Sequence, residues 1–272
     1  MITISNCPVC NSNMLKQGLV CKDYLVTQKE FTLTVCETCD FTFTNPRPND
    51  EELGNYYKSE NYISHSNTKQ GIVSRLYHLV RSHTLKGKVK LVSKYVSRGT
   101  ILDYGCGTGM FLNEAAKNGF KSYGIEPEDG AREFASKMDL KVFKSKEDVS
   151  KELSFDTITL WHVLEHVTDL GNTLSFFNER LNKNGMLIIA VPNHKSFDAK
   201  HYGKFWAAYD VPRHLYHFDK TTVEMLLNQN NFILKELLPM KFDSFYVSML
   251  SEKYLTGSIN YFKAFFTGLK SI

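Results

Sequence analysis

The chain has 272 residues, 42% of them hydrophobic and 23% charged, which suits one medium domain with an appendage, or two small domains, and is ordinary for a globular protein. A formal net charge of +4 names no partner by itself. No apolar run approaches the roughly 20 residues of a spanning helix, and Met1-Ile2-Thr3-Ile4-Ser5-Asn6-Cys7 lacks the basic flank and apolar centre of an export signal, so a cytoplasmic location is expected.

In chain order the first signal is two cysteine pairs, Cys7-Pro8-Val9-Cys10 and Cys36-Glu37-Thr38-Cys39. Each C-x-x-C knuckle brings two thiolates within reach of one tetrahedral Zn²⁺, and two knuckles complete an S₄ site with no open position for catalysis. The gap between the pairs is longer than in the simplest pattern. Alternating runs from Lys29 to Val35 and from Phe41 to Thr44 fill it as strands. A structural zinc ribbon over residues 1–48, held by Cys7, Cys10, Cys36 and Cys39, is the expectation. A redox C-x-x-C would open a helix after a strand, and neither pair does. Cys21 and Cys106 read as small, semi-buried residues.

Asn45-Pro46-Arg47-Pro48-Asn49-Asp50 closes the ribbon, because its prolines continue neither strand nor helix. Glu51 to Tyr57 then starts helically behind Asp50 as cap. Between Glu60 and Asp103 there is no acid, whereas Lys69, Arg75, Arg81, Lys86, Lys88, Lys90, Lys94 and Arg98 fall there, with His65, His78 and His83. Ile72, Leu76, Leu79 and Val80, and later Val89, Val92 and Val96, recur at helical intervals. Residues 49–98 are therefore expected as a basic helical cap with one packed face and one cationic face, either a solvated surface or a platform for phosphates.

The centre of the chain is Ile101-Leu102-Asp103-Tyr104-Gly105-Cys106-Gly107-Thr108-Gly109. A strand from Thr100 to Leu102 meets three alternating glycines and then a helix from Phe111 to Lys117. Such a turn lets bare backbone approach a ligand where a helix N-terminus presents free N–H groups. The next strand, Lys121 to Glu126, ends in a carboxylate about 20 residues after the first glycine, where an acid can accept both ribose hydroxyls of an adenosine. Alternation continues: helix Asp129 to Met138, strands Leu140 to Phe143 and Phe155 to Trp161, helix Asp169 to Leu181, strand Met186 to Val191, helix Thr221 to Asn230 and a sixth strand Phe232 to Leu237. That pattern predicts a parallel sheet covered on both faces.

Two clusters accompany this frame. His162-Val163-Leu164-Glu165-His166 reads as H-x-x-E-H, a zinc-peptidase signature whose ligands would share one helix face. It follows the fourth strand, however, which aims it at the crevice of the glycine turn instead of at peptidase chemistry. Asn193 to Phe218 is a long insertion ending Asp210-Val211-Pro212-Arg213-His214-Leu215-Tyr216-His217-Phe218, and such length inside a compact domain is commonly functional. His214 and His217 are candidates for a general base or metal ligand, and Arg213 for pairing an acceptor anion. Residues 242–272 read as an apolar-faced helical extension, a lid or dimer contact, or else an interfacial membrane helix, although the dense Lys/Arg flank such helices use is missing.

Asp103-x-Gly105-x-Gly107-x-Gly109, the acid Glu126, Phe155 to Trp161 and Gly185 to Asn193 together resemble the class I S-adenosylmethionine-dependent methyltransferases, from about Thr100 to Met240. The resemblance implies a doubly wound, Rossmann-like, mostly parallel α/β sheet for residues 99–241, with the acceptor insertion at 193–220. It implies backbone contacts to the cofactor from Gly105, Cys106, Gly107 and Gly109, with Asp103 supporting the turn. Glu126 would take the ribose hydroxyls, and Trp161 and His162 would border the methyl pocket. In some methyltransferases the position of the H-x-x-E-H segment carries E-x-x-E-H, whose side chains look like ligands of a divalent metal; here Glu165 and His166 match and His162 replaces the first Glu. Catalysis is expected to involve His166, His214, His217 and Arg213.

A zinc ribbon ahead of such a domain resembles bacterial methyltransferases of polysaccharide and glycoside pathways, and also certain ribosomal-RNA methyltransferases. The C-P-x-C start, the N-P-R-P linker and the D-V-P-R-H-L-Y-H-F insertion are most similar to the former. The expectation is methyl transfer to an oxygen of a small or lipid-linked glycan. The alternatives are RNA methylation, with ribbon and basic helix as the docking surface, or a non-catalytic zinc and RNA-binding module. Oligomeric state is not legible.

Overall fold

A computed structural model describes residues 1–57 and 72–272. In chain order its strands are β1 Leu15–Lys22, β2 Glu30–Cys36, β3 Thr42–Thr44, β4 Thr100–Tyr104, β5 Lys121–Ile125, β6 Lys141–Phe143, β7 Phe155–Trp161, β8 Leu181–Ala190 and β9 Tyr216–His217. Its α-helices are α1 Asp50–Leu53, α2 Ile72–Tyr95, α3 Met110–Lys117, α4 Asp129–Ser136, α5 Leu170–Arg180, α6 Phe197–Tyr202, α7 Lys220–Gln229, α8 Lys241–Thr256 and α9 Tyr261–Lys270. Of the described residues, 72–164 and 171–190 form one compact unit, and 1–57, 165–170 and 191–272 form the other.

The first unit is built on a sheet of order β6-β5-β4-β7-β8 in which every pairing is parallel, with Leu102 lying between Tyr123 and Ile158. From β4 the chain adds β5 and β6 on one side and β7 and β8 on the other. That reversal makes the carboxyl end of β4 the switch point, where ligands bind in sheets of this kind. Ile101, Leu102, Ile158 and Leu160 are fully buried, as strands covered on both faces require. Helix α2 packs through Val89 and Val92, and α3 through Phe111, Leu112 and Ala115. The expected apolar stripe of α2 thus holds over its C-terminal half, with Lys86, Lys90 and Lys94 exposed. His65 and Lys69 lie outside the described residues, and so do the side chains of Ile72, Arg75, Leu76, His78 and Leu79.

The second unit contains an antiparallel sheet of order β1-β2-β3-β9. β2 and β3 match the alternation read from the ribbon sequence. Phe41 is fully buried against the rings of Phe43, Tyr216 and Phe218. β1 and β9 are both unexpected members, β9 with Tyr216 opposite Phe43 and His217 opposite Thr42. The compact units therefore do not follow the expected segments, because the insertion at 193–220 folds with the ribbon. The insertion holds α6 and β9, and Val211 to Phe218 are buried throughout.

Two local expectations are corrected. Asn49, not Asp50, caps α1: its side chain accepts from the Glu52 N–H, and the Glu52 carboxylate accepts in return from the Asn49 N–H. The sixth strand does not form. The Phe232 N–H donates to the Leu227 carbonyl and closes α7, and the following run stays outside any ladder with Ile233 91% exposed. Phe232 and Leu234 alternate with Ile233 as a strand would, but a strand also needs a partner edge, and among the described strands none is offered.

Candidate functional site

At the end of β4 the backbone turns through Gly105, Gly107 and Gly109, with φ of 72°, 53° and 76°. The Gly105 and Cys106 N–H groups donate to the Ile125 carbonyl at 2.7 and 3.0 Å, which locks the turn to the neighbouring strand. At Gly105 the left-handed backbone is compounded by crowding: a Cβ would stand 2.6 Å from Val163 Cγ2. A Cβ at Gly107 would touch nothing within 4 Å, so the outer side of the turn is open for a ligand.

Glu126 follows β5 and accepts from the Gly107 N–H at 2.8 Å and from the Glu128 N–H at 3.0 Å, one bond on each oxygen. Each oxygen retains a lone pair for a ribose hydroxyl. Asp103 is only 2% exposed and accepts from the Thr159 hydroxyl at 2.6 Å. Its partner therefore comes from β7, not from the glycine turn. Burial pushes its carboxyl up to about 7, against the lowering effect of the Thr159 hydrogen bond and the Lys88 charge. The Lys88 ammonium also lies 4.4 Å from the centre of the Trp161 ring, which meets Phe111 edge-on.

Beyond β7 the H-x-x-E-H segment is not an α-helix. His162 takes φ +60°, a left-handed conformation uncommon for such a side chain, and donates its N–H to the Ala190 carbonyl at 3.0 Å. A single 3₁₀ turn, Leu164–His166, follows. The expected shared helix face is thus corrected. With it goes the peptidase reading, which needs helical spacing.

The other unit gathers ligand atoms from Glu165, His166 and His214 within 4.8 Å of one another. His166 Nδ1 lies 3.0 Å from the Arg213 carbonyl and 2.9 Å from the Tyr57 hydroxyl, and His214 Nδ1 lies 2.8 Å from the Ala208 carbonyl. A carbonyl only accepts, so both Nδ1 atoms carry protons and Nε2 is the ring nitrogen each histidine has left for a ligand. His214 Nε2 sits 4.0 Å from the Glu165 carboxylate and 4.0 Å from that of Asp210. Burial, followed by the influence of His214, pushes His166 down to about 4, leaving a neutral imidazole. A carboxylate with two imidazoles, each oriented by a backbone carbonyl, is a donor set that fits a divalent transition metal. Tyr57 belongs to this site, and sequence reasoning missed it: 109 residues separate it from His166, and no local motif marks it.

Two other candidates prove structural. Arg213 is 1% exposed. Its Nε and Nη2 reach Asp210 at 2.9 and 2.6 Å, both Nη atoms reach Asp23 at 3.2 Å, and Nη1 reaches the Tyr56 carbonyl at 3.1 Å. All five donors are engaged, so the expected pairing with an acceptor anion is corrected. His217 is buried beside the Thr44 hydroxyl at 3.1 Å, and burial with nearby His214 and His194 holds it well below its ordinary value. It joins β9 to the ribbon instead of serving as a base.

In the ribbon, Cys7 and Cys39 Sγ are 3.6 Å apart, Cys10 and Cys36 Sγ are 3.5 Å apart, and all four fall within 4.8 Å of one another. Tetrahedral zinc with its 2.3 Å bonds separates sulfurs by about 3.8 Å, so the four thiols fit that ion. No described helix is long and apolar enough to cross a membrane.

Residues 77–237 match the family described as Methyltransferase domain. A ubiquinone biosynthesis O-methyltransferase of Azorhizobium caulinodans is 29% identical over 157 residues, 53% of this chain and 62% of that protein. One of Rickettsia typhi is 26% identical over 209 residues, 72% of this chain and 84% of that protein. The fold is shared with magnesium protoporphyrin IX methyltransferase from Synechocystis PCC 6803, solved with S-adenosylhomocysteine (TM-score 0.54, 16% identity, 69% of this chain and 91% of that one). Glycine turn, terminal acid and parallel sheet agree with the family match over more than half of the sequence, and the chain belongs to the methyltransferase-domain family of class I S-adenosylmethionine-dependent enzymes.

Proposed function

We propose that the chain transfers the methyl group of S-adenosylmethionine to an oxygen of a small or lipid-linked acceptor, assisted by a divalent metal held by Glu165, His166 and His214. The observation that carries the acceptor reading is the pair of imidazoles whose Nδ1 protons are fixed on backbone carbonyls beside a buried carboxylate. A hydroxyl is a poor nucleophile until its proton is removed or its oxygen polarised, and this donor set suits both tasks. The O-methyltransferase names of the relatives support oxygen as the acceptor atom. None of those names specifies a glycan, so the sugar acceptor expected from the N-terminal arrangement rests on that arrangement alone.

When bound, S-adenosylmethionine supplies a methyl carbon on a positively charged sulfur. The acceptor oxygen forms the new C–O bond as the C–S bond breaks, and S-adenosylhomocysteine leaves. Gly105, Cys106, Gly107 and Gly109 present backbone to the cofactor, and Glu126 orients its ribose. Trp161 and His162, at the end of β7, border the methyl. Glu165 takes the acceptor's proton on its second carboxylate oxygen. A divalent metal would lower that proton's pKa. The four ribbon cysteines would hold a structural zinc, which with four thiolates bound would take no part in the chemistry.

The deciding experiment incubates the protein with methyl-labelled S-adenosylmethionine and cell extract, then separates small organic, glycan and nuclease-sensitive fractions. Label as an ether in the organic or glycan fraction, lost with Glu165→Gln and on chelation, is the expected result. Label sensitive to nuclease would install RNA as acceptor instead. Turnover indifferent to both chelator and Glu165→Gln would remove the metal.

A further inference from the structure

Helix α9, Tyr261–Lys270, is packed inside out. Its buried residues are the small ones, Ala264, Thr267 and Gly268, and Gly268 fits so tightly that a Cβ there would stand 2.8 Å from the Phe245 ring. Its large apolar residues face outward: Tyr261, Phe262, Phe265, Phe266 and Leu269 are 68%, 75%, 51%, 45% and 51% exposed. A helix that only covered a core would turn those rings inward, and a contiguous aromatic surface of this kind marks a contact. Beside it, Phe197, Phe262 and Phe266 line a cavity of about 360 Å³ together with His201, Lys263 and Lys270.

The fully exposed charge around this face is cationic. No acid occurs from Lys253 to Ile272. Of the acids on the elements packed against α9, Glu252 is 1% exposed and paired with Lys263 at 3.2 Å, Asp198 is 3% exposed and bonded to the Trp206 indole at 2.8 Å and to the Ser196 and Ser271 hydroxyls, and Asp243 at the start of α8 is half-buried. Lys200, His201, Lys263 and Lys270 remain exposed. A second copy docking through the same face would set these cations against themselves, whereas phosphate headgroups would complement them.

We propose that the aromatic face of α9 docks on an anionic phospholipid bilayer, its rings entering the headgroup boundary and Lys200 and Lys270 meeting phosphates, with the adjoining cavity open to an acyl segment. This does not rest on the identity of the methyl acceptor.

The test is flotation of the full chain with phosphatidylcholine vesicles and with vesicles containing phosphatidylglycerol. Binding to the anionic vesicles alone is expected. Phe262→Ser with Phe266→Ser should weaken it by about tenfold or more, and Lys200→Glu with Lys270→Glu by at least about fivefold per lysine. All four positions are exposed, and unchanged affinity for S-adenosylhomocysteine checks the fold and separately tests the cofactor reading. Absence of vesicle binding, binding that survives the phenylalanine substitutions, or a solution dimer that those substitutions dissociate would overturn the proposal.

Discussion

Arg213 lies in an interior where two carboxylates, Asp23 and Asp210, share one guanidinium. Asp23 also accepts the backbone N–H groups of Leu25, Val26 and Thr27, so the arginine ties the β1–β2 connection to the insertion. Arg213→Met should cost about 3–5 kcal/mol of stability, the range for stranding buried charges, without weakening S-adenosylhomocysteine binding. Denaturant titration beside calorimetric binding checks both halves, and a variant as stable as the parent would refute the clamp. Asp103 makes a prediction in pH. Its folded pKa, raised by burial to about 7 from 3.8, means that the folded state holds a proton that the unfolded state has released. Its contribution is fully present below about 4 and lost as pH rises to about 7. Asp103→Asn should flatten the fall in melting temperature across that window, and an unchanged slope would show that Asp103 is not its source. The types of these residues were visible in the sequence, but their roles were not. Arg213 in a loop with two histidines looks like a substrate ligand until Asp23, 190 residues away, is seen to occupy it.

The glycine turn was legible because everything that shapes it is local: β4, the left-handed glycines and the helix after them are contiguous, and their period switches from two to 3.6 at the turn. Gly105→Ala tests that reading. It forces a side chain into left-handed backbone at φ 72° and against Val163, a strain of about 1–3 kcal/mol, and should weaken S-adenosylhomocysteine binding about tenfold or more in calorimetric titration. Equal affinity would mean that the turn does not cradle the cofactor. β9 was illegible for the opposite reason. Tyr216-His217 is two residues long, too short for periodicity, and its partner β3 is more than 170 residues earlier. The Phe232 to Leu237 run erred the other way, having the alternation of a strand but no edge to pair with.

At the scale of the whole molecule, the two units differ in what holds them. The parallel unit has its own core in Ile101, Leu102, Ile158 and Leu160, closed by helices. The ribbon at the head of the other has a short sheet, and its two knuckles converge on the four cysteines, with the Glu37 N–H to Met14 carbonyl and Thr38 to Ser12 hydroxyl bonds beside them. Small modules of this kind lean on their metal, whose binding energy is folding energy. Purified protein should therefore carry one tightly held zinc by elemental analysis. Removing it, or replacing Cys10 and Cys39 together by Ser, should make residues 7–43 the first site of protease cleavage. S-adenosylhomocysteine binding should outlast that cleavage, because the glycine turn and Glu126 belong to the parallel unit. If the metal-free chain resists protease as well as the native one, the packing of Phe41, Phe43, Tyr216 and Phe218 is sufficient by itself and the cysteines serve another purpose. If cofactor binding is lost together with the ribbon, the parallel unit depends on the ribbon for more than its own core supplies.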